Sequence, residues 1–545
     1  MAVMATALVG CSSNDNLAPD GKDNVGKTGE AYASFTINLP TTRATRVAGE
    51  PTFAEGDAKE YEVKNGTILI FTNDGKFVTS AQLGNMNPWK DIKTDGVTTA
   101  ATATVQLTGV EVGGNYQALV LLNNDVDGAP SKVTLPTSGE SYASWNAKAE
   151  NATAAYTNID YIFMANAPKY TGTSTEPTTL VPVANICASR EQAEAQPATT
   201  VYVERGLAKV TMQKFNADGY AIAAGTYEGG KVEIKAWQLD VTNKSTFPVH
   251  QTDGLMTVWN QIWNTGRFFD ATSSMFQRVY WGKDPNYSGG ALQDLAACKD
   301  AFNMITNDKV VGEAGIENPQ YCRENTFDLA NMMQGQTTRV VFKAVFTPKD
   351  FVTGQTFYKI GNNTAIWNAT NLAQQIKTVA LKAMNIVDDA EQAKYDVDLS
   401  KGTNISGKAG LHKITADNIT FTGEGTSKVT EDVVNAINDK LGLKETGIST
   451  YLNGEAYYIA RIKHFNEMTP WNAGEAYGIE NGKYLGRYGV LRNNWYDLSV
   501  NSISGLGYPD VPEVKPNMPD DENEQYINVE VKILDWAKRS QNIDL

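Results

Sequence analysis

The feature that most constrains this 545-residue chain lies near its carboxy terminus, where Tyr526-Ile-Asn-Val-Glu-Val-Lys-Ile533 alternates without a break. Ile527, Val529, Val531 and Ile533 fall on one face and Asn528, Glu530 and Lys532 on the other, the two-residue period of a half-buried β-strand. The segment before it, Asp510 to Glu524, holds three prolines, six acids and one lysine. Such a composition offers too little apolar area to fold, so an extended linker is expected. A strand beyond a linker must still satisfy its backbone N–H and C=O groups at a sheet edge. Either it folds back onto its own domain, or it augments the sheet of another molecule.

A second amphipathic strand is predicted at the opposite end. Tyr32-Ala-Ser-Phe-Thr-Ile-Asn-Leu39 sets Ala33, Phe35, Ile37 and Leu39 on one face. Pro40-Thr-Thr-Arg43-Ala-Thr-Arg46-Val-Ala-Gly49 follows at once. Its small, polar and Pro/Gly-marked character predicts an exposed loop open to proteolysis, with Arg43 and Arg46 as cleavage points for an arginine-specific enzyme. Solvated charge is the plain alternative for two arginines in a loop.

Between these ends, short β-like runs recur between Gly, Asn, Asp and Pro: Thr67–Phe71, Tyr116–Leu122, Tyr161–Met164, Val201–Val203, Lys231–Leu239, Thr338–Phe346 and Ala456–Ile462. Val433, Ile437 and Leu441 repeat at helical spacing and predict a helix over 431–441; a second is expected near 291–302. The strands dominate, which predicts an all-β class. At this length two β-rich cores are expected, over 31–225 and 226–509. Residues 1–30 are then a signal and tether, 31–46 the first strand and cleavage loop, and 510–545 the acidic linker and last strand.

The formal net charge of −15 argues against nucleic acid, whose phosphates need a positive field. Beyond the amino terminus no run reaches the roughly 18 to 20 apolar residues that span a bilayer. The amino terminus itself reads as the apolar core of a secretory signal running into Cys11-Ser-Ser. Leu8-Val9-Gly10-Cys11 resembles the bacterial lipobox, which implies acylation of Cys11 followed by a polar tether. No basic region precedes the apolar run, so a longer signal is expected upstream; a cytosolic chain with an apolar start is the alternative. Cys187, Cys298 and Cys322 have no C-x-x-C spacing. A bridge between Cys298 and Cys322 and buried free thiols both remain open.

Motifs of catalysis and metal binding are poorly matched. His250, His412 and His464 are far apart and lack ligand spacing. Gly402-Thr-Asn-Ile-Ser-Gly407-Lys408-Ala409 approaches a phosphate-binding loop, but Ala409 replaces the hydroxyl that would hold magnesium. Asn124-Asp-Val-Asp-Gly128 lacks the distal glutamate of a calcium loop. No catalytic residue, metal site or cofactor is expected, and the chain reads as a non-enzyme.

Several internal segments carry a family resemblance. Val203-Glu-Arg-Gly-Leu-Ala-Lys-Val210, Thr337–Pro348, Gly486–Leu498 with Ser502–Gly507, and Val529–Trp536 are similar, in order, to the fimbrillins of Bacteroidales, especially the shaft subunits of short fimbriae. The resemblance implies two transthyretin-like β-sandwich domains with few short helices and a C-terminal donor strand. It further implies an outer-membrane lipoprotein precursor anchored at Cys11 and cut at Arg43 or Arg46 by an Arg-specific protease. Loss of the strand bearing Phe35, Ile37 and Leu39 would open a groove for the donor Ile527, Val529, Val531 and Ile533 of a neighbouring copy. The implied setting is a cell-surface fimbria supporting adhesion. Its implied partners are further copies head-to-tail, accessory anchor and tip subunits, and host or bacterial surface ligands. The competing expectation is a non-polymerising surface adhesin or glycan-binding lipoprotein using Trp471 and Trp495; a β-sandwich hydrolase with paired carboxylates ranks below both.

Overall fold

The computed structural model describes residues 30–40, 56–84, 90–91, 97–124, 133–151, 159–170, 176–260, 268–269, 277–289, 292, 294–305, 309–402, 411–444, 446–465, 482, 484–520 and 527–535. Cys11, Arg43, Arg46, Trp471, and most of the Gly402–Ala409 and Asn124–Gly128 motifs lie outside the described residues. Contacts divide the chain into two units. The first takes Glu55–Leu207 and Ser245–Pro285 together with the amino-terminal strand; the second takes Ala208–Lys244 and Asn286–Leu545. The division expected near residue 225 therefore falls at Leu207/Ala208, and residues 245–285 return to the first unit.

The first unit is built on β1 (Glu30–Pro40), β2 (Gly66–Thr72), β3 (Phe77–Gln82), β4 (Val97–Thr108), β5 (Tyr116–Leu122), β6 (Met164–Asn166) and β7 (Thr199–Arg205). Among the described residues they lie in the order β3-β2-β5-β6-β7-β1-β4. β7 joins the two halves of this path, because Thr199–Tyr202 pair with β1 and Val203–Arg205 pair with β6. A strand that changes partners in this way folds the sheet over onto itself as a sandwich. The inner faces close on Phe35, Ile37 and Leu39 of β1, Ile68 and Ile70 of β2, Val105 and Leu107 of β4, and Val120 and Leu122 of β5. The strand expected over 161–164 begins only at Met164. There Asn166, fully buried, accepts from Val120 N (2.8 Å) and donates to Ala118 O (3.1 Å) and Thr179 O (2.8 Å), so a side chain completes backbone pairing that the short strand leaves open.

The second unit contains two facing sheets. One comprises β9 (Lys231–Asp240), β11 (Arg339–Thr347) and β12 (Glu455–Arg461), and the other β10 (Gly315–Cys322), β8 (Ala208–Met212), β13 (Asn494–Ile503) and β14 (Ile527–Asp535), in those spatial orders. Val210, Met212, Trp237, Val340, Phe342, Tyr458, Tyr496 and Leu498 fill the space between them. Asp240 and Arg339, each 2% exposed, pair at 2.8 Å, and Glu324 pairs with Arg492 in the same buried setting. The architecture is thus all-β sandwich. The expected helices are present, as α2 (Leu295–Ala301) and α4 (Glu431–Lys440), and α1 (Arg190–Ala195) serves the first unit. The longest, α3 (Ala369–Ala383), is an addition to those expected. It is capped by Asn368, which accepts from Asn371 N at 2.8 Å, and packs Leu372, Ile376 and Ala380 against Ile437 of α4 in a small separate core.

The three described cysteines are free and buried. Cys298 and Cys322 form no bridge, and burial pushes the Cys322 thiol up to about 12. A thiol held protonated is a poor nucleophile at neutral pH. Iodoacetamide at pH 8 is therefore expected to leave Cys322 unlabelled in the native protein, but to label Cys187, Cys298 and Cys322 in guanidinium without prior reduction. A requirement for reductant, read by mass spectrometry, would contradict this arrangement.

Candidate functional site

The two amphipathic strands have opposite positions in their sheets. β1 is central. Along one edge it pairs antiparallel with β4 from Glu30↔Thr108 to Pro40↔Val97. Along the other, Phe35 to Asn38 pair in parallel with Thr199 to Tyr202 of β7, and Tyr32 exchanges both backbone hydrogen bonds with Cys187 at 2.9 Å. Ala31, Ala33, Phe35 and Ile37 have no exposed surface and Leu39 has 1%. Burying Phe35, Ile37 and Leu39 contributes on the order of 5 to 9 kcal/mol, at about 1.5 to 3 per side chain.

The opposite face of β1 is clamped as well. Ser34 Oγ donates to Ala193 O of α1 (2.9 Å) and shares a hydrogen bond with Thr104 Oγ1 (2.7 Å). Thr36 and Thr102 hydroxyls meet at 2.9 Å. Arg190 donates to Thr104 O at 2.9 Å, with its guanidinium 5.9 Å from the centre of the Tyr32 ring. Beside Asn38, burial raises the pKa of the Tyr202 phenol above its ordinary value.

β14, the alternating strand beyond the acidic segment, is an edge strand. It pairs antiparallel with β13 of its own chain, from Ile503↔Ile527 to Asn494↔Asp535, with one irregularity at Val500/Ser502. Of the two destinations open from sequence, the structure holds the fold-back. Thus, among the described residues, β1 has ladders on both edges and β14 on one.

The acidic segment is not a free linker over its first eleven residues, Asp510 to Asp520. Gly507, at φ +75°, turns the chain where a Cβ would lie 2.8 Å from Tyr457 O and from the Tyr458 ring. Tyr508 then exchanges backbone hydrogen bonds with Tyr457 (2.8 Å each). Arg339 donates to Pro512 O (2.7 Å), Val514 is 5% exposed among Val241, Leu292, Cys298 and Phe302, and Gln334 N donates to Met518 O (2.9 Å). Asp520 is fully buried, accepting from the Thr337 hydroxyl at 3.0 Å while its N–H donates to Met332 O at 3.1 Å. Composition does not reveal this strap because, Val514 apart, it is held through its own backbone carbonyls and one carboxylate, which accept from Arg339, Gln334 and Thr337 and need no apolar side chains. Residues 521–526, between strap and β14, lie outside the described set.

The alternative sites are structurally occupied. Trp495 is 5% exposed, donates to Thr211 Oγ1 at 2.7 Å and lies under Lys209 Nζ at 4.0 Å, so it offers no binding platform. His250 Nδ1 meets Glu204 at 2.8 Å and His464 Nδ1 meets the Tyr496 hydroxyl at 2.7 Å, both buried. Asn124 Oδ1 accepts from Val133 N at 2.9 Å, a loop-closing role. Asp398, near Asp396 in an open cleft beside α3, accepts from Ser400 N and Oγ, which hold its carboxyl below the usual range. Among the described residues no group of three or more His, Cys, Asp or Glu could hold a metal ion.

With this geometry in view, similarity to known proteins is informative at the carboxy terminus. Residues 449–542 match the family described as major fimbrial subunit protein type IV, fimbrillin, C-terminal. The match covers β12, β13 and β14, and so contains the edge strand and the strand that holds it. A candidate cell adhesion protein from Parabacteroides distasonis aligns over 94% of this chain and 99% of its own at 10% identity, with a TM-score of 0.41. A fimbrial assembly protein from the same organism aligns over 62% and 93% at 14% identity (TM-score 0.26). A candidate adhesin from Bacteroides ovatus aligns over 40% and 57% at 13% identity (TM-score 0.17). No curated protein gives a significant match. The fold is an all-β sandwich, and residues 449–542 are similar to the carboxy-terminal region of the fimbrillins.

The central packing of β1 sets the consequence of emptying its largest pocket. Phe35→Ala is expected to cost about 3 to 5 kcal/mol in urea unfolding of the first unit, whereas Asn38→Ala, on the half-buried face, should cost under about 1 kcal/mol. Equal small effects would contradict the buried register.

Proposed function

We propose that this chain is a structural subunit of a bacterial surface fimbria that polymerises by donor-strand exchange after proteolysis. The observation that carries the reading is the contrast between β1, buried between two strands, and β14, held along one edge. Arg43 and Arg46 follow β1 directly in sequence. A cut there leaves β1 attached by non-covalent contacts alone, and its loss opens a groove between β4 and β7 with two unpaired edges and vacant apolar pockets.

A β14 segment from another copy, carrying Ile527, Val529, Val531 and Ile533, would exchange one ladder for two on entering that groove. Four buried aliphatic side chains contribute on the order of 6 to 12 kcal/mol before ordering losses. Donor and groove are different surfaces, so the contact repeats head-to-tail and builds an open filament. Before cleavage the groove is filled and the chain stays monomeric. In this scheme the precursor is an outer-membrane lipoprotein tethered at Cys11, the protease is Arg-specific, and anchor and tip subunits end the filament. The role is structural and adhesive, not catalytic; the burial of Trp495 weighs against an aromatic glycan platform.

Treatment of the purified full chain with an Arg-specific protease tests the scheme. Wild type is expected to give a ladder on a denaturing gel that collapses on boiling; Arg43→Ala/Arg46→Ala and a chain ending at Glu524 are expected to remain monomeric. A cleaved wild type that stays monomeric, or a truncated chain that polymerises, would overturn it.

A further inference from the structure

We infer that the incoming strand takes the direction of β1 and a single register, with Ile527, Val529, Val531 and Ile533 in the places of Ala33, Phe35, Ile37 and Leu39. This rests on the donor-strand reading above and specifies how the groove reads its partner. Both segments open on a tyrosine, Tyr32 and Tyr526, followed by apolar residues at the first, third, fifth and seventh places.

The groove penalises sliding. Because side chains alternate, only shifts by even numbers of residues keep the apolar face inward. A slide of two in one direction sets Asp535 in the place of Leu39, where 1% of the present side chain is exposed. The opposite slide sets Gln525 in the place of Ala33, which has no exposed surface, and carries Ile533 past the end of the buried row. Each slide buries a polar group without a partner and loses an aliphatic one.

The second face selects the same register and fixes direction. Asn528 would stand where Ser34 does, with an amide that can donate to Ala193 O and accept from the Thr104 hydroxyl, as Ser34 does in one atom. Glu530 would take the place of Thr36, beside the Thr102 hydroxyl. The inward row Ile-Val-Val-Ile reads the same in both directions and cannot choose an orientation. A reversed strand, however, would set Lys532 in the place of Ser34, next to Arg190, which reaches Thr104 O. It would also replace the antiparallel ladder along β4, the longer of the two, by a parallel one.

Disulfide trapping of the protease-triggered polymer reads the register directly. Ser34 and Thr104 are paired across β1 and β4, so Asn528→Cys with Thr104→Cys should close on mild oxidation into a ladder that survives boiling and disappears with reductant. Asn528→Cys with Thr102→Cys or Gln106→Cys reports the two slides, and with Ala100→Cys the reversed strand; the Asn528→Cys parent controls for native thiols. Closure of the Thr104 pair above all others is the expected result. Closure of a slid or reversed pair, or a polymer in which no pair closes, overturns the register but leaves strand exchange standing. Failure of every variant and of wild type to polymerise after cleavage overturns strand exchange itself.

Discussion

The double pairing of β1 is the constraint on which the first unit depends. Five side chains from Ala31 to Leu39 point into the sandwich, and both backbone edges are taken by neighbours. An edge strand can leave a sheet and expose one ladder. A central strand leaves two unsatisfied edges and a gap in the core. A sandwich built around such a strand loses two ladders and part of its core without it.

The second unit supplies a segment of matching character under weaker restraint. Among the described residues β14 has its one ladder with β13, while the strap before it is held down to Asp520 by Arg339, Thr337 and the backbone of Met332 and Gln334.

Both strands were legible in the sequence, because strict two-residue alternation over eight residues matches the pleat of a strand with one buried face and no helical face. So were Tyr116–Leu122 and the helix capped by Thr430, where periodicity and boundary signals agree. Other parts were less so. α3 carries Leu372, Ile376 and Ala380 at four-residue steps behind an Asn368 cap, a helical spacing interleaved with polar residues. The return of residues 245–285 to the first unit rests on two-residue ladders such as Ser245–Thr246 with Glu150–Asn151, on Tyr170 stacked on Phe269 at 3.9 Å, and on His250 against Glu204. None of these leaves a periodic trace. The strap is hidden for a related reason: apolar composition measures side-chain burial, whereas Pro512 and Met518 are held by their carbonyls. The central position of β1, as opposed to its existence, depends on partners far away in sequence, and only the fold displays it.

Hydrogen exchange followed by mass spectrometry offers the most direct measurement of the contrast between these strands. In the uncleaved monomer, peptides covering 30–40 should exchange with the stable core of the first unit, and peptides covering 527–535 should exchange far sooner, by local release from β13. After cleavage and assembly, 527–535 should become as protected as 30–40 had been. Equal protection of the two segments in the monomer, or no gain at 527–535 in the polymer, would contradict the mechanism.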